Sequence, residues 1–343
     1  MANRFWVGGS GTWNTTSTSN WSTSTGGASG ASAPTSADVA IFDANSGSTY
    51  TVTLGENVTI QTLTANAAVN LTIDFAAYKI TVTGNNALVY RANGVVEYLG
   101  SPVVDLTYAG STGTRTITPG AATVTNPPRF NITAGSDIVS LTSGGTGRFG
   151  TVNFTGFSGT LTTGTASTTT FFGGFIVSSG MTLTAANGPL SFAATSGTQQ
   201  ITTAGKTFDF PLSFNGVGGA WEFQDALTQG STRAFTITNG TVKLKNGVTS
   251  TVGAFATSGT NQKFLQSTVA GSQATLSQAS GTVSASYLTI QDINATGGAT
   301  WNALYENQNV DAGGNTGWNF GGSPQTVSEV TYRIRSFTEA RRF

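Results

Sequence analysis

Apolar and polar residues alternate with a period of two along most of this chain. Tyr50-Thr51-Val52-Thr53-Leu54, Leu71-Thr72-Ile73 and Phe235-Thr236-Ile237 each place their apolar members on one face and threonine on the other. That alternation predicts short half-buried strands, with β-branched threonine suited to the pleated outer surface. The strands also repeat. Pro189-Leu190-Ser191-Phe192 returns as Pro211-Leu212-Ser213-Phe214, and the pair Val58/Ile60 returns as Ile80/Val82, both 22 residues on. Self-similarity at such a period is the mark of a solenoid. The expected fold is therefore all-β: a right-handed parallel β-helix, or β-solenoid, of about 22 residues per coil with Trp/Gly-rich end caps.

The pattern divides the chain into four parts. Residues 1–49 are rich in Gly, Ser, Thr and Trp and form an N-terminal cap; residues 50–293 form the helical body. Residues 294–320 form a second cap, and residues 321–343 a charged tail behind Gly321-Gly322-Ser323-Pro324. The body length corresponds to roughly eleven coils, and stacking at about 4.8 Å gives a rod about 50 Å long. Asn-Gly pairs at 187–188, 215–216, 239–240 and 246–247 are expected to turn the chain and end strands. The stretch 109–170 is the least regular, which leaves room for a β-sandwich insert there. Five of the six Trp residues lie outside the body: Trp6, Trp13, Trp21, Trp301 and Trp318. Solenoid ends expose strand edges, so burial as caps is the expected role of these rings, with sugar-stacking platforms as the functional alternative.

Composition removes many function classes. Only 9% of residues are charged, against about a quarter in ordinary domains. Lys plus Arg and Asp plus Glu are 15 each, so nucleic acid is not an expected partner, nor is an anionic membrane surface. The chain has no Cys and no His. Disulfides, thiolate metal sites, cysteine nucleophiles and the usual histidine base are all excluded. No run of apolar residues is long enough to span a bilayer, and the opening residues carry no apolar core of a secretory signal. No membrane insertion is expected.

Longer motifs carry a family resemblance. Phe5-Trp6-Val7-Gly8-Gly9-Ser10-Gly11-Thr12-Trp13-Asn14, Asn20-Trp21-Ser22 and Pro34-Thr35-Ser36-Ala37-Asp38 open the chain. The body holds Phe210-Pro211-Leu212-Ser213-Phe214-Asn215-Gly216 and runs on through Gly219-Ala220-Trp221-Glu222-Phe223. Tyr287-Leu288-Thr289-Ile290-Gln291-Asp292-Ile293 and Gly313-Gly314-Asn315-Thr316-Gly317-Trp318 stand near the end. Together these stretches resemble the β-helical virion structural proteins of tailed bacteriophages, of the fibre, spike or decoration type. The resemblance implies a structural component of a phage particle, foremost a tail fibre or spike-type rod used in host attachment. A capsid decoration or head-fibre protein is the alternative, and a polysaccharide depolymerase on the same rod a second. It further implies location in the virion, a homotrimer, and contacts with other virion proteins and with a host surface glycan or receptor. It brings no catalytic residues, and the chain is not expected to be an enzyme.

Candidate chemistry is sparse. A glycosidase needs two convergent carboxylates. Glu222 and Asp225 are close in sequence, but a spacing of three on a strand sends them to opposite faces. Asp292-Ile293-Asn294-Ala295-Thr296-Gly297 begins like a calcium loop, yet its twelfth position is Ala303, so an EF-hand fails. Asp311-Ala312-Gly313-Gly314-Asn315 reads as a Gly-rich turn. No phosphate-binding GxxxxGK[ST] motif surrounds Lys206. No cofactor and no metal are expected.

The tail breaks from this pattern. Between Ser328 and Phe343 lie Glu329, Arg333, Arg335, Glu339, Arg341 and Arg342, and Val330, Tyr332 and Ile334 alternate with polar residues. A charged segment punctuated by aromatics offsets its ordering entropy by burying those side chains on a partner. The expected docking residues are Tyr332, Arg333, Ile334, Arg335, Phe337, Arg341, Arg342 and Phe343.

Overall fold

The computed structural model describes residues 1–66, 69–84, 86–90, 95–99, 103–106, 114–117, 127–141, 148–164 and 167–322, without the side chains of 86–98 and 115. Across them the chain winds as a parallel β-solenoid with three faces visited in order. The first coil with a strand on every face shows the rule: Val39–Phe42 lies on face one, Thr49–Leu54 on face two and Val58–Ile60 on face three. Face three is continuous. Among the described residues, twelve strands succeed one another along it, from Val58–Ile60 to Val310–Asp311. At about 4.8 Å per strand the stack is about 50 Å long.

Columns of equivalent residues run up the stack because strands pair in parallel and in register. On face three, Val58, Ile80, Val104, Phe130, Val152, Phe175, Ile201 and Phe223 succeed one another as backbone partners. All eight are buried. On face two, Leu190 pairs with Leu212 and Phe192 with Phe214, as the 22-residue repeat predicts. Val58/Ile60 likewise sits directly below Ile80/Val82. The repeat length is an average, since the turns between strands vary: partners lie 26 residues apart at Phe175/Ile201 and 19 at Ala274/Ile293.

The interior is an aromatic spine. Phe130, Phe149, Phe171, Phe192, Phe214, Phe235, Phe255, Trp301 and Trp318 follow one another at ring-centroid distances of 5.0–5.9 Å. Aromatic pairs at this spacing each add about 0.5–1.5 kcal/mol beyond the area they bury. With no disulfide in the chain, this packing and the inter-coil hydrogen bonds hold the rod together.

The stretch 109–170 holds no sandwich among its described strands. Thr114–Ile117, Ile138–Leu141 and Thr160–Thr163 stack in parallel on face one, and Arg129–Ile132 and Val152–Asn153 on face three. The Asn-Gly expectation needs a correction. Two of the four pairs do not end strands: 215–216 lies within Leu212–Phe223 and 239–240 within Ala234–Leu244. Each is a corner where the strand bends from face two to face three while pairing continues through a register shift. Two features make the bend. Asn239 donates to Asn215 and Asn261 to Asn239 through their side-chain amides, at 2.7 and 2.8 Å, an asparagine ladder along the corner. Gly216 also packs so closely that a Cβ there would stand 1.8 Å from the Ala194 carbonyl oxygen.

Both ends are built from tryptophan. Trp6, Trp13 and Trp21 are fully buried and surround Phe42 at 5.8–6.1 Å. Trp21–Ser22 folds back antiparallel on Asn3–Trp6 and covers the first edge of face one. Asp38 ties this end together, accepting from the Ala2 amide and from the Thr35 amide and hydroxyl at 2.7–3.1 Å. At the other end, Trp301 and Trp318 meet edge to face at 5.0 Å and Tyr305 stacks on Phe320.

Candidate functional site

One concave polar feature among the described residues is an open depression of about 650 Å³ near the C-terminal end of the rod. It is lined by residues from three successive corners between faces three and one: 271–273, Asp292 and 311–316. Asp292 stands at the corner between Leu288–Gln291 and Ile293–Gly297, with a left-handed backbone (φ 56°) that turns the chain between faces. Aspartate tolerates that conformation better than most residues. Asp311 ends the strand paired with Ile290, one coil further on. Two acids 19 residues apart in sequence thus reach one depression.

The hydrogen bonds show what these groups already do. Asp292 accepts from the Gly271 amide at 2.9 Å. Asp311 accepts from the Gly313 amide at 2.9 Å and from the Asn315 side-chain amide at 2.6 Å. Asn315 in turn accepts from the Ile293 amide, and Gln273 donates to the Gly314 carbonyl at 2.7 Å. Gly314 is required beside Asp292, because it has a positive φ and a Cβ would lie 2.0 Å from the carboxylate oxygen. The cluster clasps one coil's corner to the next, and it presents carboxylate and amide oxygens to solvent. It can accept hydrogen bonds from a polyol. It offers no thiol and no imidazole base, and among the described residues no group of three or more acids is placed to hold a metal ion.

Other charged groups are also built into the coils. Lys79 meets Asp105 at 2.5 Å, and Asn131 donates to the same carboxylate at 3.0 Å. Arg233 bridges Asp209 and Asn187 at 2.6 Å each. Asp225 accepts from the Thr203 and Ala204 amides at 2.8 and 2.6 Å, while Glu222 accepts from the side-chain amide of Gln224, just past the end of its strand. These two acids have separate partners; Asp225 lies past the strand's end at Phe223, so the strand-spacing argument does not reach it. Lys263 is fully buried, and its ammonium donates to the Gly259, Ser286 and Tyr287 carbonyls at 3.2–3.4 Å. Burial holds its pKa below the usual lysine value.

The expected docking residues Tyr332, Arg333, Ile334, Arg335, Phe337, Arg341, Arg342 and Phe343 lie outside the described residues. The sugar-platform role for the N-terminal tryptophans is ruled out by position, since rings with no exposed surface cannot stack on a ligand. What faces outward instead is hydroxyl-rich. On face one, Thr207, Thr228, Thr251, Ser277 and Thr296 form a single column of backbone partners. Period-two alternation foretells that each is outward; their alignment across coils depends on turn lengths that alternation does not encode.

This geometry defines a class: a parallel β-solenoid with an aromatic interior, tryptophan-rich ends and a polar, hydroxyl-bearing flank. The chain matches no family model, no curated protein and no solved structure. No helix among the described residues is long and apolar enough to cross a membrane.

Proposed function

We propose that the chain is a structural rod of a tailed-phage particle, of the tail fibre or spike type, that takes part in host attachment. The aromatic spine carries this reading: its nine rings run without interruption from Phe130 to Trp318 and stiffen the stack without disulfides. A stiff rod with a polar flank suits a protein that spans distance and presents a surface. The resemblance of the Trp/Gly motifs at both ends to virion proteins supplies the setting. In this reading the protein is a homotrimer, the flank or tip meets a host glycan or receptor, and the charged terminal segment joins the rod to another virion protein.

Locating the chain in intact particles tests the proposal. Labelled antibody is expected to mark the tail by electron microscopy, and antibody against the rod is expected to block adsorption. Labelling spread over the head favours the capsid decoration or head-fibre alternative, and absence from particles overturns both. The depolymerase reading has one observation behind it, the depression holding Asp292 and Asp311. Those carboxylates already clasp the corners, so purified rod is expected to release no reducing ends from host polysaccharide.

A further inference from the structure

The last coil ends with one edge uncovered. Thr316 bridges to Asn294 on face one, and Asn319 bridges to Asn302 on face two. Face three comes next in the winding order, and among the described residues nothing pairs with the outer side of its last strand, Val310–Asp311. The hydrogen-bond pattern fixes what that side offers. The Ala312 amide donates to the Ile290 carbonyl at 2.9 Å, so by the alternation of a parallel ladder the Asp311 amide and carbonyl point away from the rod.

Such an edge is a template for another strand. The chain leaves face two at Gly321-Gly322 and carries a strand-like segment at the right distance. Tyr332 lies 22 residues after Val310, one repeat, within the alternation Val330, Tyr332, Ile334. Charge agrees. From Phe264 to Gly322 there is no Lys or Arg, only Asp292, Glu306 and Asp311, whereas the segment brings Arg333 and Arg335.

We propose that residues 330–335 of the same chain add a strand to the Val310–Asp311 edge. This covers the rod's end with Tyr332, Arg333, Ile334 and Arg335 and leaves Phe337, Arg341, Arg342 and Phe343 as the part of the expected docking set available to a partner. The inference rests on coil geometry and does not depend on the virion reading.

Amide hydrogen exchange, followed by NMR on the full chain, tests it. Replacing Tyr332→Asp together with Ile334→Asp is expected to speed exchange of the Asp311 amide by about tenfold or more while leaving the Ile290 amide, one coil inward, unchanged. Equal Asp311 rates in the two proteins overturn the proposal. So does protection of Asp311 in the unsubstituted chain that vanishes on dilution, because the occupant is then a second copy.

Discussion

Phe192 and Phe214 stack face to face in adjacent coils, with ring centroids 5.1 Å apart and planes within 14° of parallel. Their backbones are also register partners, so ring and strand repeat together. Each ring is wholly buried, and Phe214 also touches Trp221, Phe223 and Phe235. Phe214→Ala is expected to cost about 3–5 kcal/mol, the range for emptying a packed aromatic site. Denaturant unfolding followed by Trp221 fluorescence measures it. Solenoids unfold by neighbouring units, so the local transition should move further than one reported from the Trp6/Trp13/Trp21 end.

Gly216→Ala tests the corner. The new methyl would meet a backbone carbonyl, which cannot rotate away as a side chain can. The expected loss is about 1–3 kcal/mol or more. Gly205→Ala is the contrasting control: unlike that of Gly216 its φ is positive, but nothing lies within 4 Å, so only the conformational cost of about 1–2 kcal/mol applies. A smaller loss at Gly216 than at Gly205 in thermal melts would show that the Ala194 contact yields.

Asp38 predicts acid sensitivity at the N-terminal end. Burial by itself would raise its pKa, but the Thr35 hydroxyl, the Ala2 and Thr35 amides and the charge of Arg4 together hold it below the ordinary 3.8. A carboxyl with a depressed folded pKa adds stability that is complete above the unfolded value and fades as pH falls through the folded one. Asp38→Asn is therefore expected to destabilise the protein at neutral pH and to lose part of the acid-induced drop in Tm. Melts between pH 2 and pH 6, a range set by the carboxylate values, check this.

Lys263 predicts a trend of the same sign, with stability rising with pH, in alkali. Its ammonium is buried against carbonyls with no carboxylate partner among the described residues, and its folded pKa lies below 10.5. The unfolded chain then holds more protons in the window just below 10.5, so this residue's contribution to stability rises with pH there. The difference in unfolding free energy between the parent and Lys263→Met should shift in the parent's favour as pH climbs through that window. A pH-independent difference would remove the buried ammonium from the account.

The columns were legible because their residues repeat: Val58/Ile80 and Leu190/Leu212 sit at one offset, and the pleat sends them all inward. The two corner glycines were misread as strand ends, since an Asn-Gly pair signals a change of direction and does not say whether pairing survives it. The Asp292/Asp311 depression was hidden for another reason. Polar pairs between coils form at 24 residues for Asp209/Arg233 and 26 for Lys79/Asp105, because turn lengths differ from coil to coil. The hydroxyl column on face one was half legible, as outward threonines without their alignment.

Strands that run around the rod place the hydrogen bonds between coils along its length. Tension applied to the two ends therefore loads those bonds coil by coil at the margins, not all at once. Each coil that peels away releases about 22 residues, or about 75 Å of slack chain at full extension. The molecule should lengthen under load in discrete steps, each one blunting the jerk passed to whatever holds its other end.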